Sequence, residues 1–212
     1  RVEEFINYFS YEYPNPKGDD PFSITTEFSE NPWNPKTKLV HIGLQGQRIE
    51  TDNLPGSNLV FLIDVSGSMQ QHNRLPLVKK SLTMLVDNLN PDDRVAIVVY
   101  SGAAGEVLSS TPASEKSTIL AAINRLEAGG STAGGAGIKL AYKVAVKNLI
   151  KKGNNRVIIC TDGDFNVGQT SDGEMHRLIE KERESGVFLT CLGYGMGNYK
   201  DGRMEQISNA GN

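Results

Sequence analysis

The chain has 212 residues, 38% hydrophobic and 22% charged, with a formal charge of -3, which describes a globular protein of one ordinary domain plus an appendage. That charge excludes the basic footprint of a nucleic-acid binder, and no apolar run approaches the roughly 20 residues of a membrane-spanning helix. Two cysteines, Cys160 and Cys191, make no disulfide framework, and each sits inside an apolar run as a buried free thiol would.

Residues 1–56 read as an extension of one helix and short strands, holding six of the nine prolines up to Asn58. The start at Arg1, without initiator Met or signal peptide, suggests a processed fragment and leaves localisation open. Val2, Phe5, Ile6 and Phe9 at helical spacing predict a short amphipathic helix. Phe22 to Phe28 and Leu39 to Ile49 alternate apolar and polar residues and predict two strands, with Asn31-Pro32-Trp33-Asn34-Pro35 as the turn between them.

Residues 57–212 follow another pattern. Leu59–Ile63, Val95–Tyr100, Val157–Cys160 and Val187–Leu192 are apolar without alternation, as strands covered on both faces are. Amphipathic helices separate them. One carries Leu75, Val78, Leu82, Leu85, Val86 and Leu89 behind Pro76; a second Ile119, Ile123 and Leu126; a third Ile138, Ala141, Ala145 and Leu149; a fourth Met175, Leu178 and Ile179 behind the capping box Ser171-Asp172-Gly173-Glu174. Glu106–Ser109 directly follows the second long strand and predicts an antiparallel edge. The order predicts an α/β fold: a doubly wound, mostly parallel open sheet flanked by helices, preceded by the small β-rich segment. Met204–Ile207 starts a helix that would lead to one more strand past Asn212, so the domain is expected to continue there.

Polar groups collect where such sheets bind ligands, at the carboxyl ends of the strands. The first long strand ends in Asp64-Val65-Ser66-Gly67-Ser68, the third in Thr161-Asp162-Gly163-Asp164, and Gly129-Gly130-Ser131-Thr132-Ala133-Gly134-Gly135 opens a helix. Carboxylates and hydroxyls without thiolate or imidazole suit Mg²⁺, Mn²⁺ or Ca²⁺ rather than zinc or copper. Other motifs fit poorly. Asp64 stands where a nucleophile elbow needs its first glycine, the glycine-rich loop lacks the P-loop Lys, and the first strand is not followed by dinucleotide-binding glycines. Asp162-x-Asp164-x-Asn166 begins like a calcium loop, but Val167 occupies the glycine position.

Asp64-x-Ser66-x-Ser68, Thr132 in its Gly-Gly-Ser-Thr loop and Thr161-Asp162-Gly163 together resemble the von Willebrand factor type A (VWA) domain, from about residue 57 onward. They correspond to its metal-ion-dependent adhesion site (MIDAS). Val2–Phe9 and Asn31–Pro35 are similar to the lead-in of YfbK-like bacterial proteins of that family. The resemblance implies that Ser66 and Ser68 bind the metal directly, Thr132 directly or through water, and that Asp64 and Asp162 hold coordinated waters or ligate. Gly67, Ser131 and Asp164 would lie around the ion or on its rim. It further implies Mg²⁺ (or Mn²⁺ or Ca²⁺), an open coordination position filled by an Asp or Glu of a partner protein, and an extracytoplasmic setting, periplasmic or at the cell surface. The function so implied is adhesion-type protein binding, without catalysis. A metal-assisted hydrolase is the alternative, but no His or Glu accompanies the set as general base. A degenerate, purely structural domain is the third reading. His72 is expected on a solvated loop, His41 and His176 on element surfaces, and Met69 and Met196 as filler or rim.

Overall fold

A computed structural model describes residues 6–48, 54–101, 103–129, 134–163, 172–196 and 201–212. The chain divides into two compact units, Arg1–Leu54 and Pro55–Asn212.

In the first unit β1 (Phe22–Glu30) and β2 (Lys38–Gly46) form an antiparallel hairpin, with Phe28 opposite Val40 and Glu30 opposite Lys38. Its turn is built by asparagine side chains: Asn31 Oδ1 accepts from Trp33 N at 3.0 Å and Asn34 Oδ1 from Lys36 N at 3.1 Å. β2 ends at Gly46, where its partner strand is preceded by Pro21, which has no N–H to extend the ladder; Ile49, the predicted strand end, lies outside the described residues. Phe22, Ile24, Phe28, Val40, Ile42 and Leu44 share one face. On the other the Tyr13 ring lies where a Gly43 side chain would be, and its hydroxyl is 2.7 Å from His41 Nε2. Of the predicted N-terminal helix, residues 1–5 lie outside the described residues and Ile6 is helical.

The second unit is a five-stranded sheet of β3 (Ser57–Asp64), β4 (Arg94–Ser101), β5 (Ala103–Pro112), β6 (Asn154–Thr161) and β7 (Phe188–Gly193), in the order β5-β4-β3-β6-β7. All pairings are parallel except β4 with β5, so the predicted antiparallel edge is present. It is longer than the four residues predicted, because Arg94 clamps it by donating to Ser110 Oγ at 2.9 Å and Ser110 O at 2.7 Å. The helices are α1 (Leu75–Asn88), α2 (Lys116–Asn124), α3 (Gly134–Lys147), α4 (Asp172–Arg183) and α5 (Asp201–Ala210). α3 ends before Leu149: Asn148 turns its side-chain amide back to Val144 O at 2.8 Å.

The unbroken apolar strands are explained by two cores. Leu59, Phe61 and Ile63 face α1 and α2, among Val78, Leu82, Ile119 and Ile123. Val60 and Leu62 face the other way, against Ile138, Ala141 and Ala145 of α3 and Ile179 and Met204 of α4 and α5. The cysteines follow this alternation. Cys160 packs in the first core and Cys191 against the second, so they point to opposite faces and stay free. Burial pushes both thiols up to about 12, which keeps them protonated and inert.

Helix α3 packs tightly on the sheet at Gly137, where an added Cβ would lie 3.0 Å from both Leu62 Cδ1 and Tyr100 Cβ. A Tyr100 Cβ is fixed by the backbone of β4 and cannot retreat. Gly137→Val is therefore expected to destabilise the chain by about 1–3 kcal/mol, read as a lower urea midpoint with an unchanged slope.

Candidate metal site

β3 is flanked by β4 on one side and β6 on the other, with Ile63 opposite Cys160. The chain leaves β3 in one direction and returns to its far side, so the carboxyl ends of β3 and β6 form the crevice where strand order reverses. Asp64 and Asp162 stand there, 0% and 6% exposed.

Asp64 is the last residue of β3, and its alternation places it on the α3 side beside Tyr100. Its Oδ1 accepts from Ser66 N at 2.9 Å and its Oδ2 from Thr161 Oγ1 at 3.3 Å. Thr161 Oγ1 in turn accepts from Gly163 N at 3.2 Å, so the β6 loop is folded around the same carboxylate. After Ser66 the chain makes a 3-10 turn, Gly67–Gln70, that closes with Met69 N donating to Ser66 O at 3.0 Å. The turn brings Ser66 Oγ within 3.1 Å of Ser68 Oγ. It also buries Met69 completely, which makes that residue core rather than rim.

The third loop is pinned at its entrance. Gly129 N donates to Val65 O at 2.7 Å and Ser101 Oγ donates to Gly129 O at 2.5 Å. Thr132 and Ser131, and Asp164 in the β6 loop, lie outside the described residues. The structure thus brings Asp64, Ser66, Ser68 and Asp162 to one crevice, with Gly129 anchored to Val65 beside it. Of the histidines, His41 pairs with Tyr13 in the first unit, His176 pairs with Glu180 on α4 at 3.7 Å, and His72 is exposed.

One residue without a sequence signal belongs to the site. Arg74, at the entry of α1, is buried, and its Nη1 donates to Asp162 Oδ2 at 2.7 Å and Ser68 O at 2.8 Å. The two acids are therefore unlike. Asp162 has a guanidinium, whereas Asp64 has no cationic partner among the described residues. Burial pushes the Asp64 carboxyl above the usual carboxylate range, and the nearby Asp162 charge adds to this. Hydrogen bonds from Ser66 and Tyr100 oppose it.

A divalent cation fits this donor set. A buried carboxylate without a cation, two adjacent hydroxyls and a second carboxylate are hard oxygen donors, and an ion there would offset the cost of burying Asp64. Among the described residues no three His, Cys, Asp or Glu side chains converge, and the further oxygen donors described at the crevice are the serine hydroxyls.

Comparison with known proteins agrees with the fold. The profile of the von Willebrand factor type A domain matches residues 58–212, and one described as von Willebrand factor matches residues 1–41. The uncharacterized protein YfbK of Escherichia coli is 42% identical over 219 residues, covering 100% of this chain and 38% of that protein; the chain thus spans well under half of that relative. Among solved structures, von Willebrand factor type A from Catenulispora acidiphila superposes with a TM-score of 0.63 at 17% identity, over 96% of this chain and 46% of that one. Proximal thread matrix protein 1 from the mussel byssus, with a zinc-occupied MIDAS motif, gives 0.56 at 23% identity, over 73% and 39%. At these identities the two structures speak for the fold alone.

The raised Asp64 carboxyl has a pH signature. Between its ordinary and its raised value the folded chain holds a proton there that the unfolded chain has lost. The cation-free protein therefore gains stability as pH falls through the raised value, and above it carries the full cost of the buried charge. In EDTA, Asp64→Asn should be at least as stable as wild type at pH 7, with its advantage narrowing towards pH 4. Urea unfolding across that range measures it.

Proposed function

This chain belongs to the von Willebrand factor type A domain family, and from that membership we propose that it is a divalent-cation-dependent protein-binding module of the adhesion type. Domains of this family generally mediate protein–protein interaction and commonly hold a divalent metal at their adhesion site. Here Ser66, Ser68 and Thr132, with Asp64 and Asp162, would hold Mg²⁺, with Mn²⁺ or Ca²⁺ as substitutes. An Asp or Glu of a partner protein takes the remaining position.

The single observation that carries this reading is Asp64: a carboxylate with no exposed surface and no cationic partner among the described residues, beside two hydroxyls 3.1 Å apart. Leaving such a charge uncompensated costs stability, and chains keep such sites where a ligand repays it. The ion supplies Lewis acidity towards a carboxylate. The chain does the rest. Ser66 N and Thr161 Oγ1 fix the Asp64 carboxylate, the 3-10 turn aims the serine hydroxyls, and Val65 O holds the Gly129 loop in place. With neutral hydroxyls in place of further acids, the bound cation keeps net positive charge for an acidic partner group.

We propose an extracytoplasmic setting with this function; no described helix is long and apolar enough to cross a membrane. Residues 1–56 are proposed as an extension distinct from the cation-binding domain.

Mg²⁺ or Mn²⁺ at about one hundred times its Kd should raise Tm by about 5–10 °C. Asp64→Ala should lose that rise while remaining folded in EDTA. Equal cation stabilisation of wild type and variant, measured by thermal unfolding, would overturn the site.

A further inference from the structure

Arg74 lies under the candidate site and is not part of any motif that identifies it. It follows Gln70-Gln71-His72-Asn73, a polar stretch, yet is only 7% exposed. Its Nη1 bridges the Ser68 carbonyl and the Asp162 carboxylate, so one guanidinium ties the loop after β3 to the loop after β6. The loop after β7 closes over it: Gly195, at φ +91°, leaves so little room that a Cβ would stand 2.8 Å from Arg74 Nε. Nε itself has no hydrogen-bond partner among the described residues. A group held this tightly is expensive to bury and is seldom retained as filler.

The charge balance shows its consequence. Among the described residues Asp64 and Asp162 bring two negative charges to the crevice and Arg74 one positive, a net of one negative charge. A divalent cation beside this set keeps one positive charge. Without Arg74 the two carboxylates would balance the ion's charge.

We propose that Arg74 is the specificity-determining residue of this site: an internal counter-cation that occupies Asp162, weakens cation binding, and so preserves positive charge for an incoming carboxylate. The proposal rests on the cation reading above.

The test uses Mn²⁺ as the ion and acetate as the carboxylate. Free Mn²⁺ is read by electron paramagnetic resonance, and acetate by the fall in water-proton relaxation as it displaces Mn²⁺-bound water. In Arg74→Gln, Mn²⁺ should bind about tenfold more tightly and acetate about tenfold more weakly, the scale of one nearby like charge at a protein-like dielectric. Arg74→Lys should stay near wild type in both. A purely structural tie would lower Tm and leave Mn²⁺ affinity unchanged or weaker in Arg74→Gln, which would overturn the proposal, as would tighter Mn²⁺ with unaltered acetate. If Arg74→Gln fails to fold, Asp162→Asn is compared with Arg74→Gln/Asp162→Asn, where loss of the guanidinium takes no ion-pair partner from an acid. Equal Mn²⁺ affinity in those two would overturn the proposal. A wild-type chain that binds no Mn²⁺ would instead sink the cation reading, and this inference with it.

Discussion

The parallel pairing of β3 with β6 is the constraint on which the rest of the molecule depends. β3 and β6 are far apart in sequence, yet their register sets Ile63 against Cys160 and puts Asp64 next to the Thr161-Asp162 loop. The pairing is strong because both strands are buried on both faces, and a slip of one residue would exchange the two cores. Its amino end is locked separately. Asn58 Nδ2 donates to Asn155 Oδ1 at 3.2 Å and to Ala145 O at 2.9 Å, and Asn155 holds both Ile150 N and Ile150 O. A polar clamp at one end and apolar packing along the length fix where the two acids fall at the other end.

That placement separates acids that look alike. Asp93 is also buried, but it stands at the amino-terminal side of the sheet, where Ser57 N and Asn90 N donate to its two oxygens at 2.7 and 2.8 Å. It fixes a turn and has spent its acceptor capacity on backbone. Asp64 accepts from Ser66 N on one oxygen, from Thr161 Oγ1 at 3.3 Å on the other and from the Tyr100 hydroxyl, and it lies at the end where such sheets bind ligands. Burial is common to both; what differs is the end of the sheet at which each carboxylate stands.

Most of this was legible in the sequence for a definite reason. Unbroken apolar runs can only be strands covered on two sides, and helical patterns between them force parallel crossovers, so sheet class and the position of Asp64 and Asp162 followed. Helix ends were less legible, since Asn148 stops α3 through a side-chain bond that periodicity does not encode. Arg74 was illegible altogether. It sits in a polar stretch that reads as solvated, and its partner Asp162 is 88 residues away, so its burial exists only after β3 has found β6. Ser131, Thr132 and Asp164 were named on the motif alone and lie outside the described residues.

Arg74 also changes what the acids can do together. Two buried carboxylates in one crevice repel each other, and the Asp162 charge makes Asp64 harder to ionise. A guanidinium on Asp162 relieves that repulsion without approaching Asp64, so the cation-free protein can fold with one acid already answered. On the proposed cation reading the remaining acid would be left to a divalent ion whose charge exceeds what it meets. A crevice built in this way would be stable enough to exist without that ion, and unbalanced enough with it to draw a carboxylate from outside.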